Sequence, residues 1–339
     1  MDSVNQLLAW IGAHEAVLSG IAAALAIVAV VLALSSRTFG LFRKGNGDSN
    51  SVNPESETKK LPQEIRYTRV ADGPRIAWAS AGSGYPLVRS LGWFTNLEME
   101  WDSPISSAIW QKLASRFQLI RYDGRGMGLS DRDVMEFNAE TRLEDLEAVV
   151  EASGVEKFAL LGLSEGGSTA IKYAAKHPDR VSHLVIWGSF LATPSRDDVP
   201  QIAPIARLVP KHWGGDSAAF HQMFTATFLP DGNAAENKLF NDLQRTSATP
   251  ETATAFLMAM NEIDVRDLAG DVKVPALVLH RKGDLAIPVK YGKEVAAELP
   301  NSKLVLLEGN NHWFVTEDEG IEYVISLIEE FVGDESVAK

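Results

Sequence analysis

Cysteine is absent from all 339 residues, which excludes disulfides, thiolate metal sites and a cysteine nucleophile. The compartment stays open, because a chain without thiols tolerates either redox environment. Basic side chains are also in deficit, 32 against 45 acidic ones, for a formal net charge of -13. Such a field repels phosphates and anionic headgroups, so nucleic acid is not an expected partner. No internal repeat occurs. No cluster of histidines and carboxylates has ligand spacing, so neither a metal nor another cofactor is expected. What is present suits a globular protein: 45% of residues are hydrophobic and 23% charged, enough apolar surface for a sizeable core. The length exceeds that at which a single core usually stops growing, so one large domain with an appendage is as compatible as two domains.

One long apolar run stands apart. From Ala16 to Leu34 the sequence AVLSGIAAALAIVAVVLAL carries no charge, and a helix of that length spans the hydrocarbon core of a bilayer. No Lys or Arg precedes it, unlike the basic start of a signal peptide. Arg37, Arg43 and Lys44 follow it, so the positive-inside rule puts the remainder of the chain in the cytoplasm. The stretch GNGDSNSVNPESETKK is polar and aperiodic, as a tether is. The expected division is an N-terminal segment 1–15, a transmembrane helix 16–35, a flexible linker 36–60 and a globular domain 61–339.

In that domain IRYTRVADGPRIAWASAG reads as a hairpin turning at Asp72-Gly73. Short apolar runs follow, YPLVRSLG, FQLIRYD, FALLGLS, LVIWGS, ALVLHRKGD and KLVLLEG, alternating with helical stretches such as TRLEDLEAVVEASG. The pattern predicts an α/β protein with a mostly parallel sheet covered on both faces, whose reactive groups lie at the carboxyl ends of strands. Between about Leu191 and Glu262 the alternation stops. Trp213, Phe220, Phe224, Phe228 and Phe240 fall there among helical patches, so a helical cap is expected at about 191–262.

Gly162-Leu163-Ser164-Glu165-Gly166 stands between a buried run and a helical stretch, the context in which G-x-S-x-G presents a nucleophile on a sharp turn. A serine merely capping the helix would leave the same local trace. Ser168, one helical turn on, reads as structural.

These residues, with two longer stretches, resemble the α/β-hydrolase fold superfamily from about Leu61 to the C-terminus. YDGRGMGLSD at 122–131 resembles its D-x-R-G-x-G-x-S stretch, and HPDRV at 177–181 its HP-x-R-V entry to the sixth strand. WFTNLEMEWDSP and NEIDVRDLAGDVKVPALVLHRKGD are similar to a bacterial subgroup often fused to adenylate cyclase or transcriptional regulator modules, neither of which is visible here.

A serine hydroxyl needs a base, and the base needs a carboxylate to orient it, in the chain order serine, acid, histidine. Of seven histidines only His312, in LVLLEGNNHWF, follows a C-terminal strand end; His177 and His183 flank a helix-to-strand connection. The resemblance assigns it as the base and Asp284, in HRKGDLAIP, as the acid. The strand before offers Trp187-Gly188-Ser189 and no carboxylate. The resemblance also puts the oxyanion hole at the backbone N–H of Glu165 and of Trp93, although Leu91 replaces the histidine usual before Gly92. Phe94 and Trp313 are candidates for contact with substrate. A serine hydrolase cleaving a carboxylic ester or lactone with an apolar acyl group is the expected function. Amidase, thioesterase or carbon-carbon hydrolase chemistry uses the same triad, and the fold also serves noncatalytic ligand receptors.

Overall fold

Alternating strands and helices do assemble into one layered sheet. The computed structural model describes residues 60–71, 73–194, 207–213, 218–315 and 320–333. The expected segments 1–15 and 16–35 and nearly all of 36–60 lie outside them. Among the described residues no helix is long and apolar enough to cross a membrane.

The chain enters through β1 (Gln63–Arg69) and β2 (Arg75–Ala81), antiparallel with Arg69 opposite Arg75. Next come β3 (Pro86–Ser90), α1 (Leu97–Asp102), α2 (Ser107–Ala114), β4 (Gln118–Tyr122) and α3 (Ala139–Ser153). Helix α3 begins with a capping box in which the Asn138 side chain accepts from Thr141 N and Thr141 Oγ1 accepts from Asn138 N. It ends at Gly154, whose φ of 71° is the left-handed conformation that closes helices. β5 (Phe158–Leu163), α4 (Gly166–Lys176) and β6 (Val181–Trp187) follow. β5 and β6 are buried along their whole length, as strands covered on both faces are. His183 lies inside β6, which starts at Val181, and His177 caps α4, so the two histidines flank the helix-to-strand connection.

The interval after β6 contains α5 (Val209–His212), α6 (Ala218–Phe228), α7 (Ala234–Ser247) and α8 (Pro250–Met260), with no strand among its described residues. Its base is pinned by the pairings Ala192 with Asp264 and Met127 with Ala248. The chain then completes α9 (Arg266–Ala269), β7 (Ala276–Arg281), α10 (Val289–Glu298), β8 (Ser302–Leu307) and α11 (Gly320–Gly333).

The sheet order is β1-β2-β4-β3-β5-β6-β7-β8, parallel from β4 to β8 and antiparallel at the β1 and β2 edge. Alternation divides its side chains between two cores. Val88, Leu160, Ile186 and Val278 join residues of α3, α4 and α10 on one face. Leu87, Leu161, Val185 and Leu277 join α2, α11 and the helical insert on the other. This topology brings the ends of β3, β5, β6 and β7 side by side, and the site is built there.

Candidate active site

Ser164 follows β5 directly and holds φ at 52°, one of two non-glycine residues described with a left-handed backbone. Its N–H donates to the Trp187 carbonyl at 2.8 Å, tying the turn to the end of β6. The turn is possible only because its flanks are small. A Cβ on Gly166 would sit 1.4 Å from the Leu91 carbonyl oxygen, and one on Gly162 would sit 2.6 Å from Gly167 Cα. Ser168, by contrast, donates its hydroxyl to the Phe190 carbonyl at 2.7 Å and serves the backbone.

His312 and Asp284 meet from different strand ends. His312 Nδ1 lies 2.6 Å from Asp284 Oδ2, and both side chains are almost fully buried. The other carboxylate oxygen accepts the N–H groups of Ala286 and Ile287, each at 2.9 Å. Burial alone raises the Asp284 carboxyl, but the imidazole and the Ile287 amide outweigh it and hold it below the ordinary aspartate value. An ionised Asp284 accepts a hydrogen bond from Nδ1–H, which keeps the proton on Nδ1 and leaves the Nε2 lone pair of His312 available as a base. Gly188, at φ 54°, passes beneath the pair: a Cβ there would lie 3.1 Å from His312 Cε1 and 3.5 Å from Asp284 Oδ2. Since Gly188 follows the residue that binds Ser164, the serine turn and the imidazole share one neighbourhood.

The loop after β3 closes on the same point. A Cβ on Gly92 would stand 2.6 Å from the Leu163 carbonyl, so the backbone carrying Trp93 runs against the end of β5. Leu91, in place of a polar brace, is buried in the core. Trp93 is held through its ring, which packs on Phe94, Phe224, Phe228 and Phe256 at centroid distances of 4.8, 5.7, 4.7 and 6.1 Å. Its indole N–H reaches Gln244 Oε1 of α7 at 3.4 Å. Phe94 is wedged between Trp213 and Phe256, and Trp313 lies against Phe240 and Arg89, so both are buried in packing as the site stands.

Several neighbours leave no pattern in the sequence. Phe228 at the end of α6 is one: its ring stands edge-on to His312 at 5.1 Å. Its carbonyl accepts from His312 N at 2.8 Å and Trp313 N at 3.2 Å. His280 is another, 3.7 Å from Asp284 Oδ2, with Nε2 donating to the Ile287 carbonyl at 2.7 Å. A third is Arg142, ion-paired with the carboxylate of Glu165. Only the placement of a histidine four residues before Asp284 was open to notice in the sequence. Among the described residues no group of three or more His, Cys, Asp or Glu side chains is arranged to hold a metal ion.

A mostly parallel sheet with a serine on a strained turn, beside a histidine bonded to an aspartate, defines a hydrolase-type fold and site. The family model of the alpha/beta hydrolase fold matches residues 91–319, more than half of the chain, and the chain belongs to that family. It is 25% identical over 300 residues to the 2-hydroxymuconate semialdehyde hydrolase of Pseudomonas putida, covering 84% of this chain and 98% of that protein. A pimeloyl acyl-carrier-protein methyl ester esterase of Neisseria meningitidis is 29% identical over 176 residues, 50% of this chain and 68% of the relative. Among solved structures, an esterase from Rhodococcus sp. ECU1013 superposes with a TM-score of 0.66 at 25% identity, covering 80% of this chain and 98% of the esterase.

Proposed function

We propose that the protein is a serine hydrolase cleaving a carboxylic ester or lactone through an acyl-enzyme. The observation that carries this reading is the 2.6 Å bond between His312 and Asp284 beside a serine on left-handed backbone. Ser164 Oγ attacks the carbonyl carbon while His312 Nε2 takes its proton; Asp284 keeps the imidazole in the reactive tautomer. The backbone N–H groups of Glu165 and Trp93 receive the oxyanion, with the N-terminal end of α4 adding its positive potential. His312 then gives the proton to the departing alkoxide, and water repeats the sequence on the acyl-enzyme to release the acid and restore Ser164.

Trp93, Phe224, Phe228 and Phe256 surround the loop that carries the second oxyanion donor, which favours an apolar acyl group and makes the helical insert a cap over the site. The ester-cleaving relatives support ester chemistry, and the Pseudomonas hydrolase is named for a different substrate on a similar chain. The apolar run 16–35 anchors the enzyme in a membrane, with Arg37, Arg43 and Lys44 keeping the catalytic domain on the cytoplasmic side.

The test is labelling of the full-length chain by a fluorophosphonate. Wild type is expected to label and Ser164→Ala not to; a folded wild type that never labels would mean a noncatalytic receptor. Medium-chain aryl esters are expected to turn over faster than acetyl esters. Equal or better activity on acetyl esters counts against the apolar pocket.

A further inference from the structure

Glu165 is an unexpected residue to find after the nucleophile. Its carboxyl is buried, with 1% of the residue exposed, next to the backbone N–H expected to bind the oxyanion. In a buried site like charges repel far more strongly than in water, so an uncompensated carboxylate here opposes the tetrahedral intermediate. Compensation comes from Arg142, whose Nη1 pairs with Glu165 Oε2. Arg142 is in the first turn of α3, which the Asn138–Thr141 capping box fixes, and Arg125 binds Asp145 one residue short of the next turn, at 2.9 Å. The guanidinium also lies 4.7 Å from the Phe256 ring of α8, while its Nε and Nη2 have no hydrogen-bond partner among the described residues. An arginine held this way is spent on one carboxylate.

We propose that Arg142 is a positioning residue for the oxyanion hole: it anchors Glu165 and cancels the charge its carboxylate would set against the intermediate. This rests on the serine-hydrolase reading. Burial pushes the Glu165 carboxyl above its ordinary value, and Arg142 offsets part of that rise. The other ionisable groups around it are the Tyr122 phenol on β4, which senses both Glu165 and Asp145, and the Arg125–Asp145–Glu144 cluster on the α3 side. Without Arg142, ionisation of Glu165 sets a negative charge beside the oxyanion, and activity falls as pH rises.

The experiment measures kcat and KM on an aryl ester, from about pH 5 to about pH 9, for full-length wild type, Arg142→Met, Glu165→Gln and the double variant. Arg142→Met is expected to lose at least about tenfold in kcat at the alkaline end, with KM changed less than about threefold and the deficit shrinking toward acid. Adding Glu165→Gln should remove the pH dependence of that deficit and restore kcat at the alkaline end. A purely structural arginine gives a deficit equal at every pH that the second substitution does not relieve, and that result overturns the proposal. If Arg142→Met does not fold, Arg142→Gln is read by the same criterion: a kcat deficit that grows toward alkaline pH supports the proposal, and a deficit equal at every pH overturns it. Fluorophosphonate labelling of wild type separates the two readings, since its failure removes the serine-hydrolase reading itself.

Discussion

Asp284 and Asp123 are both buried carboxylates that follow strands of the same sheet, β7 and β4, and each accepts two backbone N–H groups. Asp284 takes those of Ala286 and Ile287; Asp123 takes those of Leu97 and Leu129 on one oxygen. Their acidities nevertheless move in opposite directions. Burial raises both, but His312 bonded to Asp284 carries that carboxyl below its ordinary value. For Asp123 two amides and a neighbouring hydroxyl do not outweigh burial, with Glu100 adding repulsion, and it is pushed up to about 6. Burial alone therefore does not keep a carboxylate ionised. A hydrogen-bonded imidazole does, and that is the state the proposed acid of the triad needs.

Substituting each aspartate by asparagine is the strongest way to break this comparison. Asp284→Asn should reduce kcat on an aryl ester by about 10³- to 10⁴-fold with the fold intact, since the imidazole loses the partner that sets its tautomer. A loss below about tenfold, by steady-state kinetics, would make the two carboxylates equivalent.

Asp123→Asn should act on stability and not on chemistry. A carboxyl whose folded value is raised contributes stability that is complete below the unfolded value and lost as pH rises through the folded one. For Asp123 the window runs from 3.8 to about 6, worth about 3 kcal/mol. Chemical denaturation across that range should show a steeper decline in wild type than in Asp123→Asn. Asp284 contributes with the opposite sign, present above the unfolded value and lost as pH falls. Parallel wild-type and Asp123→Asn profiles would undo the contrast.

His280→Leu sharpens the picture with a smaller effect. It leaves the Ile287 carbonyl without its buried donor, which costs about 1–3 kcal/mol of stability. Because Ile287 N is one of the two amides on Asp284, kcat should fall as well, but by less than in Asp284→Asn. Unchanged urea denaturation would show that His280 does not brace the acid loop.

Much of this arrangement is legible in the sequence. β5 and β6 announced themselves as short apolar runs, FALLGLS and LVIWGS, because a strand buried on both faces has no polar side to interrupt it. Ser164 stood out because the close approach of the Leu91 carbonyl admits only glycine at 166, and a glycine pattern is visible in one dimension. His183 reads as flanking the connection into β6, but nothing near it in the sequence names its partner; in the fold its ring finds Phe331 of α11, 5.1 Å away. Phe94 and Trp313 are the aromatic candidates for contact with substrate. Their rings are buried among Trp213, Phe256, Phe240 and Arg89, contacts between segments far apart in sequence.

The amino-acid sequence by itself determined the strand and helix alternation, the glycines that permit the serine turn, and the order in which serine, aspartate and histidine follow strand ends. These are local matters of periodicity and backbone sterics, written within a few residues of each other. Only the tertiary structure decided which charges and rings surround that order. Arg142 reaches Glu165 across 23 positions, His280 shares Asp284 with His312, and the Phe228 carbonyl receives the His312 amide from 84 residues away. Partners of that kind are selected by which surfaces the packed sheet and helices bring together, and a chain read residue by residue carries no sign of them.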